Sequence, residues 1–113
     1  MREARVAVDR FVAAWRAHDL EATLACCTDD CVFESTGPAP DGGRFFGRDE
    51  LRAVWQPIFD DRSSRFEVED TIECDDRVVQ RWRYDWGTGH VRGIDVFTVH
   101  AGLVSEKLSY VKG

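Results

Sequence analysis

From Arg65 to Val111 apolar and polar residues alternate with a period of two, whereas between Ala4 and Ala17 the apolar positions recur every three or four residues. That single change of period limits the chain to helices first and a sheet last, an α+β layout rather than alternating strand and helix. Ala4, Ala7, Val8, Phe11, Ala14 and Trp15 form the stripe of an amphipathic helix that ends near His18. Asp19 then stands where an N-cap belongs, and Leu20, Leu24 and Cys27 mark the buried side of a short second helix. Cys31 to Ser35, with β-branched and aromatic content, reads as the first strand, and Gly37 to Gly43, which contains Pro38 and Pro40, reads as a loop. A third helix is expected from Asp49 to Phe59, with Leu51, Val54, Trp55, Ile58 and Phe59 on one side. Pro57 lacks an N–H donor and predicts a kink or an early end there.

In the second half, Phe66, Val68, Asp70, Ile72 and Cys74 alternate with Glu67, Glu69, Thr71 and Glu73, and Asp75 and Asp76 supply a turn. On the next strand Trp82, Tyr84 and Trp86 alternate with Arg81, Arg83 and Asp85, so the aromatic set is assigned to the concave, helix-covered face. Gly87 to Gly89 turns the chain back, and Val91–His100 and Leu103–Val111, joined at Ala101 and Gly102, complete an antiparallel meander. The expected fold is one domain over residues 1–113, a cone-shaped curved antiparallel sheet wrapped around three N-terminal helices. Three helices are too few to fill such a cone, so it should enclose a pocket.

Composition removes several classes of function. A formal charge of −6 and a pI near 5.0 oppose a polyanionic partner, and the arginines are interleaved with Asp and Glu, so nucleic acid is set aside. The longest apolar run is a few residues, far short of the roughly 20 of a membrane span. Met1 to Arg10 has no continuous apolar core of a secretory signal, which makes the cytoplasm the default location. Cys26, Cys27, Cys31 and Cys74 have no C-x-x-C spacing and read as reduced thiols, two of them adjacent and pointing apart on a helix. His18, His90 and His100 read as helix-end or strand-end residues with no His-x-x-x-His spacing, so neither a metal nor a cofactor is expected.

One ionisable residue stands out. Asp95 lies among Ile94, Val96 and Phe97 on a strand that should line the pocket. Two readings stay open: a carboxyl that takes or gives a proton, or a carboxyl that holds the sheet together by a hydrogen bond. It is expected within reach of an aromatic hydroxyl or ring nitrogen, with a raised pKa unless a cation stands beside it. An aromatic cavity suits a flat, hydrophobic small molecule.

Three segments carry a resemblance that covers essentially the whole chain. FVAAWRAHDLEATLACCTDDCVFES resembles the opening helix pair and first strand, FFGRDELRAVW the third helix, and RGIDVFTVHAGLVSEKLSYVK the terminal hairpin, of the ketosteroid-isomerase and SnoaL-like branch of the nuclear-transport-factor-2-like superfamily. The resemblance places Ser35 where ketosteroid isomerases have their Asp base, Phe11 where they have an oxyanion-stabilising Tyr, and Asp95 where they have a second, protonated oxyanion donor. Arg83 and Asp85 mimic the Arg-x-Asp of limonene-epoxide hydrolases, whose last-strand Asp falls here on Ser109. What it implies is a small-molecule-binding protein with isomerase, cyclase or dehydratase chemistry on a hydrophobic carbonyl compound, Asp95 and Tyr84 being the catalytic candidates. Phe11, Trp15, Phe33, Ser35, Trp55, Trp82, Trp86, Phe97 and Ser109 are the expected pocket lining. The alternatives are a non-catalytic ligand-binding or interaction domain, and an epoxide-hydrolase-like enzyme using Arg83 and Asp85. A homodimer through the outer sheet face is also expected, because Ile94 and Val96 would otherwise leave apolar surface exposed.

Overall fold

The computed structural model describes residues 3–113; the first two residues of the stretch read for a targeting signal, Met1 and Arg2, lie outside it. Helix α1 (Glu3–Arg16) buries Ala4, Ala7, Val8, Phe11 and Trp15 of the expected stripe and Val12 besides, while Ala14 is only half-buried. It stops where His18 takes a left-handed φ of 55°. The Asp19 side chain accepts from the Ala22 N–H and so caps α2 (Leu20–Ala25), whose single buried side is Leu20, Thr23 and Leu24. Cys27 is not part of that helix. It opens β1 (Cys27–Glu34), four residues before the expected start of the strand.

After the loop comes β2 (Arg44–Phe46), a strand the sequence does not announce, since three residues are too few to display a period. Helix α3 (Arg48–Asp60) follows, and it runs through Pro57 rather than ending there. Pro57 and Ala53, whose carbonyl loses its donor, are both exposed, so water can serve that carbonyl. Strands β3 (Arg65–Cys74), β4 (Arg77–Asp85), β5 (His90–His100) and β6 (Leu103–Val111) form the meander, and the β5–β6 turn has the two positive φ angles, at Ala101 and Gly102, of a two-residue primed hairpin.

The sheet order is β2-β1-β6-β5-β4-β3, and β1 runs parallel to β6. The sheet is therefore mixed rather than wholly antiparallel: the helices return the chain to the side of the last strand, a long-range pairing that no local pattern encodes. A second correction lies within β3. Val68 pairs with Trp82 but Asp70 pairs with Arg81, so Glu69 is an extra residue that reverses the strand's facing. Phe66 and Val68 point inward as expected; beyond the bulge Thr71 does, taking a 3.3 Å bond from Gln80 Nε2, while Ile72 is thrown outward, 58% exposed.

The buried core is built largely of aromatic rings in contact. Phe11 meets Trp55 and Phe97 edge-on at 5.8 and 5.5 Å and stacks on Trp15 at 5.8 Å, one helical turn away. Trp15 in turn meets Trp55 and Phe59 at 5.3 and 4.9 Å. Each fully buried ring of this group contributes about 1.5–3 kcal/mol by leaving water. The cluster closes one part of the cone and leaves the rest to a cavity.

Candidate functional site

A cavity of about 180 Å³ opens beside that cluster. Its walls come from every layer: Trp15 of α1, Val54 and Ile58 of α3, Phe33 with Ser35 and Thr36 at the end of β1, and Phe66, Trp82, Tyr84 and Val91 of the meander. Asp95, Lys107 and Ser109 complete it, and these three are its charged or hydrogen-bonding floor.

Register explains why they meet. Asp95 on β5 is directly opposite Ser109 on β6, and Lys107 lies two residues before Ser109 on the same face, opposite Phe97 and beside Phe33 of β1. Lys107 Nζ donates to Ser109 Oγ at 2.8 Å, and Ser109 Oγ donates to Asp95 Oδ1 at 2.7 Å. The ring closes through an ion pair, Lys107 Nζ to Asp95 Oδ2, at 3.4 Å, with side-chain exposures of only 7% and 1%. The ammonium also lies over the Trp15 and Phe33 rings, 4.9 and 4.8 Å from their centroids. A buried carboxylate and a buried ammonium thus satisfy each other inside a largely apolar chamber.

This floor changes the expectation for Asp95. It is buried and inside the cavity, but its partners are a serine and a lysine, not an aromatic hydroxyl or ring nitrogen, and the cation that the expectation named as its exception is present. Sequence reasoning misses Lys107, since a lysine between Glu106 and Leu108 reads as a solvated strand residue. Two signals could have found it. Lys107 has the parity of Ser109, and it is one of only two lysines among fifteen Lys and Arg residues. At every other position but Lys112 the chain uses arginine.

Of the expected lining residues, Trp15, Phe33, Ser35, Trp82 and Ser109 do border the cavity, as does Tyr84, the second catalytic candidate. Phe11, Trp55 and Phe97 do not; they are the sealed aromatic core, each at most 1% exposed. Trp86 lies just beyond the end of β4, 40% exposed and outside the cavity, because the strand's alternation stops at Asp85. Arg83 and Asp85 face away from the cavity and bind each other at 3.0 Å. The Gly87 N–H first, then Arg83, hold the Asp85 carboxyl below its usual range, so the Arg-x-Asp pair is a turn-stabilising feature and not a lining of the chamber. Ser35 has its hydroxyl committed to the loop, donating to Gly37 O at 2.8 Å and accepting from Gly43 N at 2.9 Å.

Gly93 shapes the chamber without touching it. A Cβ there would stand 2.5 Å from Trp82 Cζ2 and closer still to the Tyr110 carbonyl, so the missing side chain lets the indole lie flat on β5 as a wall. The Trp82 N–H is buried without a hydrogen-bond partner among the described residues. Among the described residues no group of three or more His, Cys, Asp or Glu could hold a metal ion, and no helix is long and apolar enough to cross a membrane.

Comparison with known proteins agrees with this architecture. Among curated proteins none matches the chain. An NTF2-like protein of unknown function from Mesorhizobium loti is 34% identical, with a TM-score of 0.89 over 99% of this chain and 93% of its own. A computationally designed 17-OHP binder is 27% identical, with a TM-score of 0.83 over 97% of this chain and 91% of its own. A Mycobacterium tuberculosis protein, solved in complex with estradiol-17β-hemisuccinate, has the same fold at 24% identity, a TM-score of 0.80, and coverages of 96% and 92%. The model of the SnoaL-like domain matches residues 8–107, nearly the whole chain, and with the cone, its cavity and its mixed sheet now described, the protein belongs to the SnoaL-like domain family of the NTF2-like fold.

Proposed function

We propose that the cavity binds a small hydrophobic carbonyl compound and that Asp95 moves a proton on it, in the manner of an isomerase, cyclase or dehydratase. The observation that carries this reading is the buried Asp95–Ser109–Lys107 ring at the end of an apolar chamber. An apolar chamber selects a ring system, and a fixed cation at its floor stabilises the oxyanion that forms when a proton leaves the carbon next to a carbonyl. Asp95 is the proton acceptor and donor, Ser109 keeps it oriented, and Tyr84, on the same wall, offers a second hydroxyl. The steroid ligands of the Mycobacterium tuberculosis protein and of the designed binder support a hydrophobic ligand. A chamber of 180 Å³ is below the usual ~300–1,000 Å³ of drug-sized sites, which favours enclosure of one or two rings with anything larger left outside the mouth.

The test uses β,γ-unsaturated cyclic ketones, followed by the ultraviolet absorbance of the conjugated product, with affinity measured by tryptophan fluorescence. Asp95→Asn should keep affinity and lose turnover, because the amide retains the shape but exchanges no proton at neutral pH. Binding without turnover in the unmodified protein would instead support the second reading, a non-catalytic ligand-binding domain. That reading is favoured by Phe11, sealed in the core, and by Ser35, whose hydroxyl is tied to the loop, at two positions where the isomerases have working groups.

The reading includes a homodimer through the outer face of the sheet. Ile72, Val79, Val96 and Leu108 are register partners in one row across four strands, and Ile94 and Tyr110 follow in the next, with Ile72, Ile94 and Tyr110 exposed by 58%, 38% and 57%. A cytoplasmic location goes with it, since the four cysteines are free thiols.

A further inference from the structure

We propose that Lys107 is itself a nucleophile, forming a reversible imine with the carbonyl carbon of the bound compound, so that the cavity takes hydrophobic aldehydes and ketones covalently. The proposal rests on the reading of the cavity as a carbonyl-binding site and goes further, because it assigns the bond that holds the ligand. Four observations carry it. Lys107 is part of the cavity lining, nine-tenths buried, with its Nζ held in place against two aromatic rings. Its ion-pair partner, Asp95, is placed to take that proton, at 3.4 Å. Ser109 touches both groups, at 2.8 and 2.7 Å, and can pass a proton between them. Finally, the chain uses arginine almost throughout yet has lysine here; a guanidinium would satisfy Asp95 equally well as a cation but cannot be deprotonated to attack a carbonyl.

The steps balance without any outside reagent. Lys107 passes one proton to Asp95, which leaves a neutral amine and a neutral carboxyl, a pair that costs less to bury than two charges. The amine's electron pair attacks the carbonyl carbon; the C–N bond forms as the C=O π bond opens, and a proton moves from nitrogen to oxygen to give a carbinolamine. Asp95 returns its proton to the carbinolamine hydroxyl, the C–O bond breaks, and water leaves. What remains is an iminium on Lys107 beside the Asp95 carboxylate, the same charges as at the start. The iminium is a stronger electron sink than the carbonyl, so the carbon next to it gives up a proton more easily, and Asp95 is again the nearest base.

The experiment treats the full chain with naphthaldehyde, a two-ring aldehyde, in the presence of sodium cyanoborohydride, which fixes an imine as a stable amine, and maps the adduct by peptide mass spectrometry. Lys112, exposed near the chain end, is the internal control. The adduct should form on Lys107 roughly tenfold faster than on Lys112, because a bound probe presents its carbonyl at high effective concentration. In Lys107→Arg and Lys107→Met the cavity adduct should disappear while Lys112 labelling is unchanged. Naphthalenemethanol, which fills the same space and forms no imine, is titrated in parallel by calorimetry and should slow Lys107 labelling in proportion to its occupancy. Should naphthalenemethanol bind while Lys107 is labelled no faster than Lys112, the imine is overturned and the cavity reading survives. Should neither probe bind, the cavity reading fails and the imine with it. Because the comparison between the two lysines is made within the unmodified protein, neither outcome depends on a variant folding.

Discussion

Removing one member of the buried pair should cost far more stability than removing both. Lys107 and Asp95 retain 7% and 1% side-chain exposure, so neither can recover its hydration when the other is deleted. Breaking such a pair costs about 3–5 kcal/mol, and the low end applies here because Ser109 and the Trp15 and Phe33 rings remain as partial partners. Lys107→Met and Asp95→Asn should therefore each lower the unfolding free energy by ~3 kcal/mol, roughly 10–20 °C in melting temperature for a chain this size. The double variant contains no stranded charge. It should lose no more than about 3 kcal/mol rather than the additive ~6, a coupling near 3 kcal/mol. Urea unfolding followed by tryptophan fluorescence, with the slope unchanged across the set, measures all four corners of the cycle. Additive losses, or single losses under about 1 kcal/mol as for an exposed pair, would refute the argument that the site is a desolvated ion pair.

Gly93→Ala should destabilise the fold by about 1–3 kcal/mol and quench or shift the emission of Trp82, since a methyl group there has no space under the indole; an unchanged urea midpoint would contradict the tight contact. The thiols should separate by reactivity. Cys27 is pushed far above the ordinary thiol range, first by its hydrogen bond with Cys31 and then by burial, and burial raises Cys26, whereas Cys74 is exposed. Iodoacetamide at neutral pH should label Cys74 first and Cys27 only on unfolding, because the protonated thiol is not the nucleophile, and early labelling of Cys27 would count against that order. Ile94→Arg with Tyr110→Glu should convert a dimer to a monomer in light scattering without changing the cavity; a monomer mass in the unmodified protein at every concentration would end the dimer proposal.

Much of the fold is legible in the sequence because it is set by local chemistry. The stripe from Ala4 to Trp15, the Asp19 cap and the alternation of β4 and β5 each reveal which side of an element is buried, and they place Asp95 and Trp82 in the interior on that basis alone. Parity reasoning fails where the backbone departs from an ideal period: the extra residue Glu69 turns Ile72 outward, and β4 ends before Trp86 can take the inward position its number implies. The three-residue β2 and the parallel pairing of β1 with β6 are not legible, as one is too short for a pattern and the other joins segments some seventy residues apart.

The sequence by itself determined that this chain forms an α+β cone with an aromatic interior and an acid on its inner face, because side-chain period and turn chemistry act over a few residues. Only the tertiary structure decided which aromatic residues fill the cone and which border its cavity. Phe11, Trp55 and Phe97 point inward just as Trp15 and Phe33 do, and whether a ring meets other rings or open space depends on packing across four elements at once. The same holds for Lys107. Its parity is written in β6, but its partnership with Asp95 comes from the β5–β6 register, and its burial from the rings of α1 and β1 that close over it. A charge on a strand is ordinary until the fold removes its water, and that removal is a property of the assembled layers.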